Sequence, residues 1–245
     1  MTNIKLTIEY DGTNYLGWQR QPQGLTIQEV IENALGKITG EEINLQGSGR
    51  TDSGVHALAQ VANFQTDADI ESSAFQKGLN SILPKDISII SAESVDPEFH
   101  SQHSAHSKIY VYKILNRPYS SALNRHRTWS IPYYLCIDSI MRAVQYLPGE
   151  HDFRAFTQNG ANVKSTVRNI IDASVVYRNQ ENIKIEIEAN GFLKRMVRLI
   201  VGTLVQVGKK RITPEDFKEI LDSGEKTKFI YAAPAHGLYL KEVKY

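Results

Sequence analysis

A polar, glycine-rich stretch between two strand-like runs carries the residues of this chain best suited to chemistry. It reads Gly47-Ser48-Gly49-Arg50-Thr51-Asp52-Ser53-Gly54-Val55-His56-Ala57. Gly49 and Gly54 permit backbone angles that are closed to other residues, and Asp52 between them can bond nearby backbone N–H groups. Such a carboxylate either shapes the turn alone or is aimed at a ligand.

Arg50 favours the second interpretation of Asp52. A nearby guanidinium stabilises the ionised carboxylate, and ionisation is required of a nucleophile or a general base. A further cation, Arg198, flanks the apolar stripe of a predicted helix, from where its guanidinium can reach a cleft. Lys194 and Arg195 lie on the same helix, and a solvated face explains them better than it explains Arg198.

Aromatic residues are the other candidates for substrate contact. Tyr110 and Tyr112 point to one face of a predicted strand. They are either core tyrosines, or one of them stacks on a base or acts in proton transfer. Trp18 and Gln19 follow the first strand in an aromatic, polar loop, where Trp18 either covers the core or forms a platform for a base or ribose.

The distribution of positive charge indicates a local face for a polyanion. The net charge is only +1, so the chain is not uniformly basic. Basic residues nevertheless cluster in the second half, and residues 1–105 hold far fewer of them. The clusters are Lys194, Arg195 and Arg198; Lys209, Lys210 and Arg211; Arg117, Arg125, His126 and Arg127; and Lys164 and Arg168. A solvated surface explains any one group, but several groups with interspersed aromatic residues predict a phosphate-backbone footprint.

Composition narrows the class of protein. Hydrophobic residues make up 41% and charged residues 22%, as in a soluble globular protein. The single cysteine, Cys136, excludes an internal disulfide and a cysteine-based zinc site, and fits a reducing cytoplasm. The N-terminal residues lack a signal-peptide core, and no apolar run approaches the ~20 residues that span a bilayer. Phosphate-binding, dinucleotide-binding and zinc-protease motifs are missing, so we expect chemistry without a nucleotide cofactor or metal.

Apolar periodicity predicts the same order of elements twice. The first half has the order β-α-β-β-α-β of a ferredoxin-like unit, with a capping box at Thr26 that starts its first helix. The second half repeats that order with insertions, and includes a hairpin around residues 179–182 and a last strand at 238–243. We therefore predict an α+β protein with two lobes, residues 1–105 and 106–245. Their mostly antiparallel sheets could join edge to edge around a central cleft.

With these residues in view, the chain resembles the tRNA pseudouridine synthase A family over nearly its whole length. The most specific match is the stretch from Gly49 to Ala57, in which Ser53 replaces the usual alanine. The other matches are Tyr10-Asp11-Gly12-Thr13 through Gly17-Trp18-Gln19, Lys108-Ile109-Tyr110-Val111-Tyr112, His151-Asp152-Phe153, Gly191-Phe192-Leu193 through Met196-Val197-Arg198, and Ala233-Pro234-Ala235 with Gly237-Leu238. Gln102 and His103 depart from the family, which usually has Arg and Phe there.

The resemblance implies the pseudouridine synthase fold and isomerisation of uridine to pseudouridine in the tRNA anticodon stem-loop, typically at nucleotides 38, 39 and 40. Asp52 would be the catalytic aspartate, with Arg50 and Arg198 as active-site arginines, Arg198 pairing with Asp52. Tyr110 would pack against the target base. The candidate RNA contacts are Trp18, Gln19, Lys164, Arg168, Lys194 and Arg195. A cytoplasmic homodimer is also implied, with each tRNA spanning both subunits and no cofactor.

Two other classes of function are open from the residues alone. A non-catalytic RNA-binding module or RNA chaperone needs only basic and aromatic residues on two α+β lobes. The set of Arg50, Asp52, Tyr110 and Arg198 argues against it, because binding alone needs no carboxylate beside a phosphate footprint. An aspartate-nucleophile hydrolase such as a glycosidase usually needs a second carboxylate as acid, for which Asp11 is the nearest candidate.

Overall fold

The chain forms two compact units in the computed structural model, which describes residues 1–158, 164–178 and 181–245. Unit 1 comprises Met1–His106 and Tyr239–Tyr245, and unit 2 comprises Ser107–Leu238. The predicted division at residues 105 and 106 therefore differs from the observed one in its C-terminal strand, which belongs to unit 1. Of the predicted hairpin turn around residues 179–182, residues 179 and 180 lie outside the described residues, and so do residues 159–163.

Unit 1 contains the ferredoxin-like order of elements that the periodicity predicts. The elements are β1 (Thr2–Tyr10), α1 (Ile27–Thr39), β2 (Gln46–Gly47), β3 (His56–Thr66), α2 (Ser72–Ile82) and β4 (Ile87–Val95). The strand order is β4-β1-β3-β2, and all three pairings are antiparallel. A central β1 follows from its sequence, because Ile4, Leu6 and Ile8 alternate with polar residues and are all fully buried.

Helix α1 begins and ends at residues that propensity favours. Thr26 caps α1 by accepting a hydrogen bond from the Glu29 N–H, and Gly40 ends the helix in a left-handed conformation. The apolar stripe of α1, represented by Ile31 and Leu35, is fully buried. This stripe is therefore the face that α1 packs into the core of unit 1, where the helix contacts α2.

Unit 2 contains the first five elements of the predicted order, β-α-β-β-α, together with short additional strands and one further helix. Its elements are β5 (Ser107–Asn116), β6 (Trp129–Ile131), α3 (Ile137–Val144), β7 (Gly149–Asp152), β8 (Val167–Arg178), β9 (Asn182–Ala189), α4 (Met196–Gly208) and α5 (Pro214–Ser223). The strands lie in the order β5-β9-β8-β7 with antiparallel pairing, and β6 pairs parallel to β5. The sequence pattern missed β6 and β7, which are too short to show a clear alternation.

The last strand, β10 (Leu238–Lys244), returns to unit 1. Tyr239 and Leu240 pair with His56 and Ala57 at the start of β3, in parallel. The β1–β3, β1–β4, β2–β3, β5–β9, β7–β8 and β8–β9 pairings are antiparallel, so the prediction of an α+β fold with mostly antiparallel sheets is confirmed. None of the helices in the described ranges is both long and apolar enough to cross a membrane.

Candidate active site

The segment that carries Asp52 is fixed by the loop that follows β1. The Trp18 N–H donates to the Thr51 carbonyl at 3.2 Å, and the Gly54 N–H donates to the Tyr15 carbonyl at 3.3 Å. The Ser53 hydroxyl donates to the same Tyr15 carbonyl at 3.1 Å. Residues on both sides of Asp52 are therefore bonded to the first loop, and the two segments form one structural unit.

Close approach of these two loops requires glycine at two positions. A Cβ at Gly12 would lie 2.0 Å from the Val55 carbonyl oxygen, and a Cβ at Gly17 would lie 2.4 Å from that of Thr51. Gly17 also has a φ of +92°, which side chains of L-residues rarely tolerate. Packing against the Asp52 segment thus explains why glycine stands at positions 12 and 17.

Strand β3 supports the same segment from its other end. The Ser48 N–H donates to the Val61 carbonyl at 2.7 Å, and the buried Gln60 side chain donates to the Gly49 carbonyl at 3.0 Å. The Val55 N–H donates to the Asp52 carbonyl at 3.1 Å and closes a tight turn. Asp52 lies half-buried at this turn, on a backbone that is held on both flanks.

Arg50, the predicted partner of Asp52, has an exposed side chain that is hydrogen-bonded through its Nε. Its Nε donates to Oε1 of Gln19 at 3.0 Å. Gln19 was predicted as an RNA contact, and in this structure its side chain bridges Arg50 to Gln28 of α1. The sequence predicts Arg50 as a partner of Asp52. The structure adds Gln19 as the residue that orients the Arg50 side chain.

Trp18, predicted as an RNA contact, is buried and requires a correction. Its side chain is 1% exposed, and its ring centroid lies 6.1 Å from that of Tyr10. A Cβ at Gly47 would lie 2.4 Å from the indole Nε1. Because the indole is enclosed, it offers no face on which a base or ribose could stack. Of the two roles considered for Trp18, the structure therefore favours the cover over the core.

His56 has a packing role in unit 1. Its ring is 2% exposed and stacks on Tyr239 with 4.6 Å between centroids. Its Nδ1 lies 3.1 Å from the Gly12 N–H and 3.1 Å from Oδ1 of Asp11. A backbone N–H can only donate, so we assign an unprotonated Nδ1 that accepts from Gly12 rather than an ion pair with Asp11. His56 therefore joins the first loop to β3 and to β10.

Unit 2 contains the second group of predicted site residues. Tyr110, in β5, is 8% exposed and packs edge to face against Phe192 at 5.0 Å between centroids. Tyr112 is fully buried, and its hydroxyl donates to the Pro234 carbonyl at 2.8 Å. Burial raises the pKa of Tyr112, and the nearby Arg198 charge opposes that shift. Tyr112 is thus a core tyrosine, whereas Tyr110 lies nearer the surface.

Arg198 is half-buried on α4 and is braced by the segment before β10. Its Nε donates to the Ala233 carbonyl at 2.8 Å, and its own carbonyl accepts from the Ala233 N–H at 2.9 Å. This reciprocal pair fixes both the backbone and the side chain of Arg198 against Ala233. Lys194 and Arg195, before α4, are exposed, and Arg195 has a φ of 62°, an uncommon value for arginine.

The last two predicted RNA contacts, Lys164 and Arg168, differ in the exposure of their side chains. Lys164 is exposed, whereas Arg168 is half-buried and its Nη1 donates to the carbonyls of Ser165 and Val167. Burial lowers the pKa of Arg168. Arg168 is therefore partly committed to local structure.

Sequence reasoning did not identify Gln28 and Glu32, two buried polar residues of α1. The signal was present, because they stand four residues apart on the face of α1 that otherwise carries Ile27, Ile31 and Leu35. Polar residues beside an apolar stripe indicate hydrogen-bond partners elsewhere in the fold, but the sequence does not say which.

Comparison with known proteins assigns the family. A family model described as tRNA pseudouridine synthase matches residues 6–104 and 143–245. A relative from Clostridium perfringens named tRNA pseudouridine synthase A 2 is 49% identical, and a relative from Thermoanaerobacter sp. named tRNA pseudouridine synthase A is 47% identical; each alignment covers 100% of both chains. A solved H/ACA RNP bound to a substrate RNA has a TM-score of 0.38 and 14% identity over 82% of this chain and 44% of that chain, which is too distant to carry an argument. From the full-length matches, the chain belongs to the tRNA pseudouridine synthase A family.

Proposed function

We propose that this isomerase converts uridine to pseudouridine in the anticodon stem-loop of tRNA, with Asp52 as the catalytic nucleophile or base. The family supplies the reaction class. The observation that carries the role of Asp52 is the fixed backbone around it. Thr51, Ser53 and Gly54 are hydrogen-bonded to the first loop, and the preceding Ser48 and Gly49 are hydrogen-bonded to β3. A carboxylate on such a backbone is held in place before substrate arrives.

The reaction is an isomerisation within one nucleotide of the tRNA, so it needs no second substrate and involves no net oxidation or reduction. The bond between ribose C1′ and uracil N1 breaks, the uracil rotates, and C1′ bonds to uracil C5, which loses its proton while N1 gains one. Asp52 has three possible first steps: attack on C1′, attack on the uracil ring, or removal of the C2′ proton. Each requires an ionised carboxylate, and Arg50 and Arg198 would stabilise that charge.

Recognition of a base in a stacked arm requires that it leave the stack, at a cost of roughly a few kcal/mol. We propose that phosphate contacts offset this cost, with Lys164, Arg168, Lys194 and Arg195 as the candidate cations. Tyr110 would pack against the extruded uracil. We also propose a cytoplasmic homodimer, for which light scattering at several protein concentrations is the direct check of mass.

The test is conversion of uridine in unmodified tRNA transcripts, mapped at nucleotide resolution. Asp52→Asn should lower the rate by about a thousandfold or more, the scale expected when a catalytic group is removed, while the Kd for tRNA changes by less than about threefold. Asp69→Asn, an exposed carboxylate of the same unit, is the matched control and should convert uridine normally. Normal conversion by Asp52→Asn would overturn the role of Asp52, and conversion outside the anticodon arm would overturn the substrate position.

A further inference from the structure

A relay of side-chain amides connects the exposed Arg50 to a buried carboxylate in α1. The Arg50 Nε donates to Oε1 of Gln19 at 3.0 Å, and Nε2 of Gln19 donates to Oε1 of Gln28 at 2.8 Å. Nε2 of Gln28 donates in turn to Oε1 of Glu32 at 2.9 Å. Gln28 and Glu32 are 7% and 9% exposed, so the relay begins at the protein surface and ends in the interior.

Two backbone groups determine the direction of this relay. The Arg20 N–H donates to Oε1 of Gln28 at 3.0 Å, and Nε2 of Gln28 donates to the Leu45 carbonyl at 3.0 Å. Because a backbone N–H can only donate and a carbonyl can only accept, the Gln28 amide has one acceptable orientation. Gln19 must then turn its NH₂ group toward Gln28 and its oxygen toward Arg50.

Glu32 anchors the buried end of the relay. Its Oε1 also accepts from the Leu45 N–H at 3.1 Å, and its Oε2 lies 3.6 Å from Nη1 of Arg20. A rotation of Glu32 or Gln28 would leave several buried donors and acceptors unpaired, which is costly in a low-dielectric interior. The side chains of Gln28 and Glu32 are therefore held in one conformation, and the hydrogen bond from Gln19 to Gln28 restricts the orientation of the Gln19 amide in turn.

We propose that Gln28 and Glu32 are positioning residues for Arg50, acting through Gln19. Arginine has five N–H donors, and the relay uses the one on Nε. No second hydrogen bond of Arg50 is present within the described ranges, so its terminal nitrogens keep four donors for an anion, such as an RNA phosphate or the Asp52 carboxylate. This inference rests on the proposed role of Arg50 in the reaction.

The test is steady-state kinetics of the full chain on tRNA transcripts with Gln28→Met, which preserves volume and helix propensity while removing the amide. We expect kcat to fall about tenfold or more with KM changed less than about threefold, because small displacements of a catalytic group cost up to about a hundredfold. In an Arg50→Ala background, Gln28→Met should produce no further loss. That non-additivity separates positioning of Arg50 from a general loss of stability.

The control is Asn80→Leu, which removes a pair of amide hydrogen bonds to Ile89 at 2.9 and 2.8 Å from another helix of unit 1. It should leave kcat unchanged even where its Tm falls as far as that of Gln28→Met. If Gln28→Met does not fold, Gln19→Met provides the same test at a half-buried residue. Equal losses of kcat in the presence and absence of Arg50 would overturn the relay, whereas full kcat in Arg50→Ala alone would instead overturn the proposed role of Arg50.

Discussion

The hydroxyl groups of Tyr10 and Thr51 share a hydrogen bond of 2.8 Å, which connects the end of β1 to the residue before Asp52. Both side chains are buried. Burial raises the pKa of the Tyr10 phenol, so it remains neutral and able to donate across the ordinary pH range. Because β1 is paired with β3 on one side and with β4 on the other, this bond ties the candidate catalytic segment to a strand that is hydrogen-bonded on both edges.

Replacing Tyr10 by phenylalanine should therefore affect both stability and catalysis. We expect a loss of about 1 kcal/mol in the free energy of unfolding, the usual contribution of one hydrogen bond, together with a several-fold fall in kcat. Tyr245→Phe is the matched control, since the Tyr245 hydroxyl donates to the Ser101 carbonyl at 2.7 Å, among residues with no proposed role in the reaction. Urea unfolding and kinetics on both variants decide the point: equal effects on kcat would contradict a special role for the bond to Thr51.

Gly17→Ala tests how closely the first loop must approach the Asp52 segment. The added methyl group would lie 2.4 Å from the Thr51 carbonyl oxygen and would also occupy a residue with φ of +92°. The matched control is Gly40→Ala, where φ is +75° but nothing lies within 4 Å of the added Cβ. Backbone strain alone costs on the order of 1–3 kcal/mol.

Both variants should therefore lose stability, but only Gly17→Ala should also lose most of its kcat. Thermal unfolding and pseudouridine formation on the two proteins separate the effects. If Gly40→Ala impairs the reaction as much as Gly17→Ala does at equal stability, the loop contact is not what positions Asp52.

The elements of unit 1 and the Asp52 segment follow from local sequence patterns. A strand such as β1 shows its alternation within nine residues, and the capping residues of α1 lie beside the helix itself. The relay from Arg50 to Glu32 does not follow from such patterns, because its partners come from three separate segments. The pairing of β10 with β3 is equally non-local, since Tyr239 and His56 are 183 positions apart in the numbering. For Trp18, residue type is compatible with both a core and a stacking role, and only burial distinguishes them.

The segment that contains His100, Gln102 and His103 should make stability depend on pH through His100. Nδ1 of His100 accepts the backbone N–H groups of Gln102 and His103 at 3.1 and 3.4 Å. Burial of the His100 ring, followed by the neighbouring His103, lowers the His100 pKa below its ordinary value. The unfolded chain therefore binds a proton more readily than the folded one, so this contribution is complete above an unfolded pKa of about 6.5 and declines as pH falls below it.

Urea unfolding at pH 7.5 and pH 5.5 should show this decline in the parent chain and a smaller one in His100→Asn. Because the segment is partly solvated, the difference should amount to roughly a few tenths of a kcal/mol. His126→Asn, at an exposed residue of unit 2, controls for the removal of a histidine as such. An unchanged pH dependence in His100→Asn would show that the bonds to Gln102 and His103 do not select the neutral ring.

Arg198→Lys tests whether the candidate site needs a guanidinium or only a positive charge. The Arg198 Nε donates to the Ala233 carbonyl at 2.8 Å, which leaves the planar end of the guanidinium oriented by the backbone. A lysine ammonium has no second nitrogen that could remain with Ala233 while another reaches a substrate. We therefore expect kcat to fall about tenfold or more, the cost of a misplaced catalytic group, with little change in Tm. Arg142→Lys, an exposed arginine on α3, is the matched control, and full activity of Arg198→Lys would reduce the role of Arg198 to its charge.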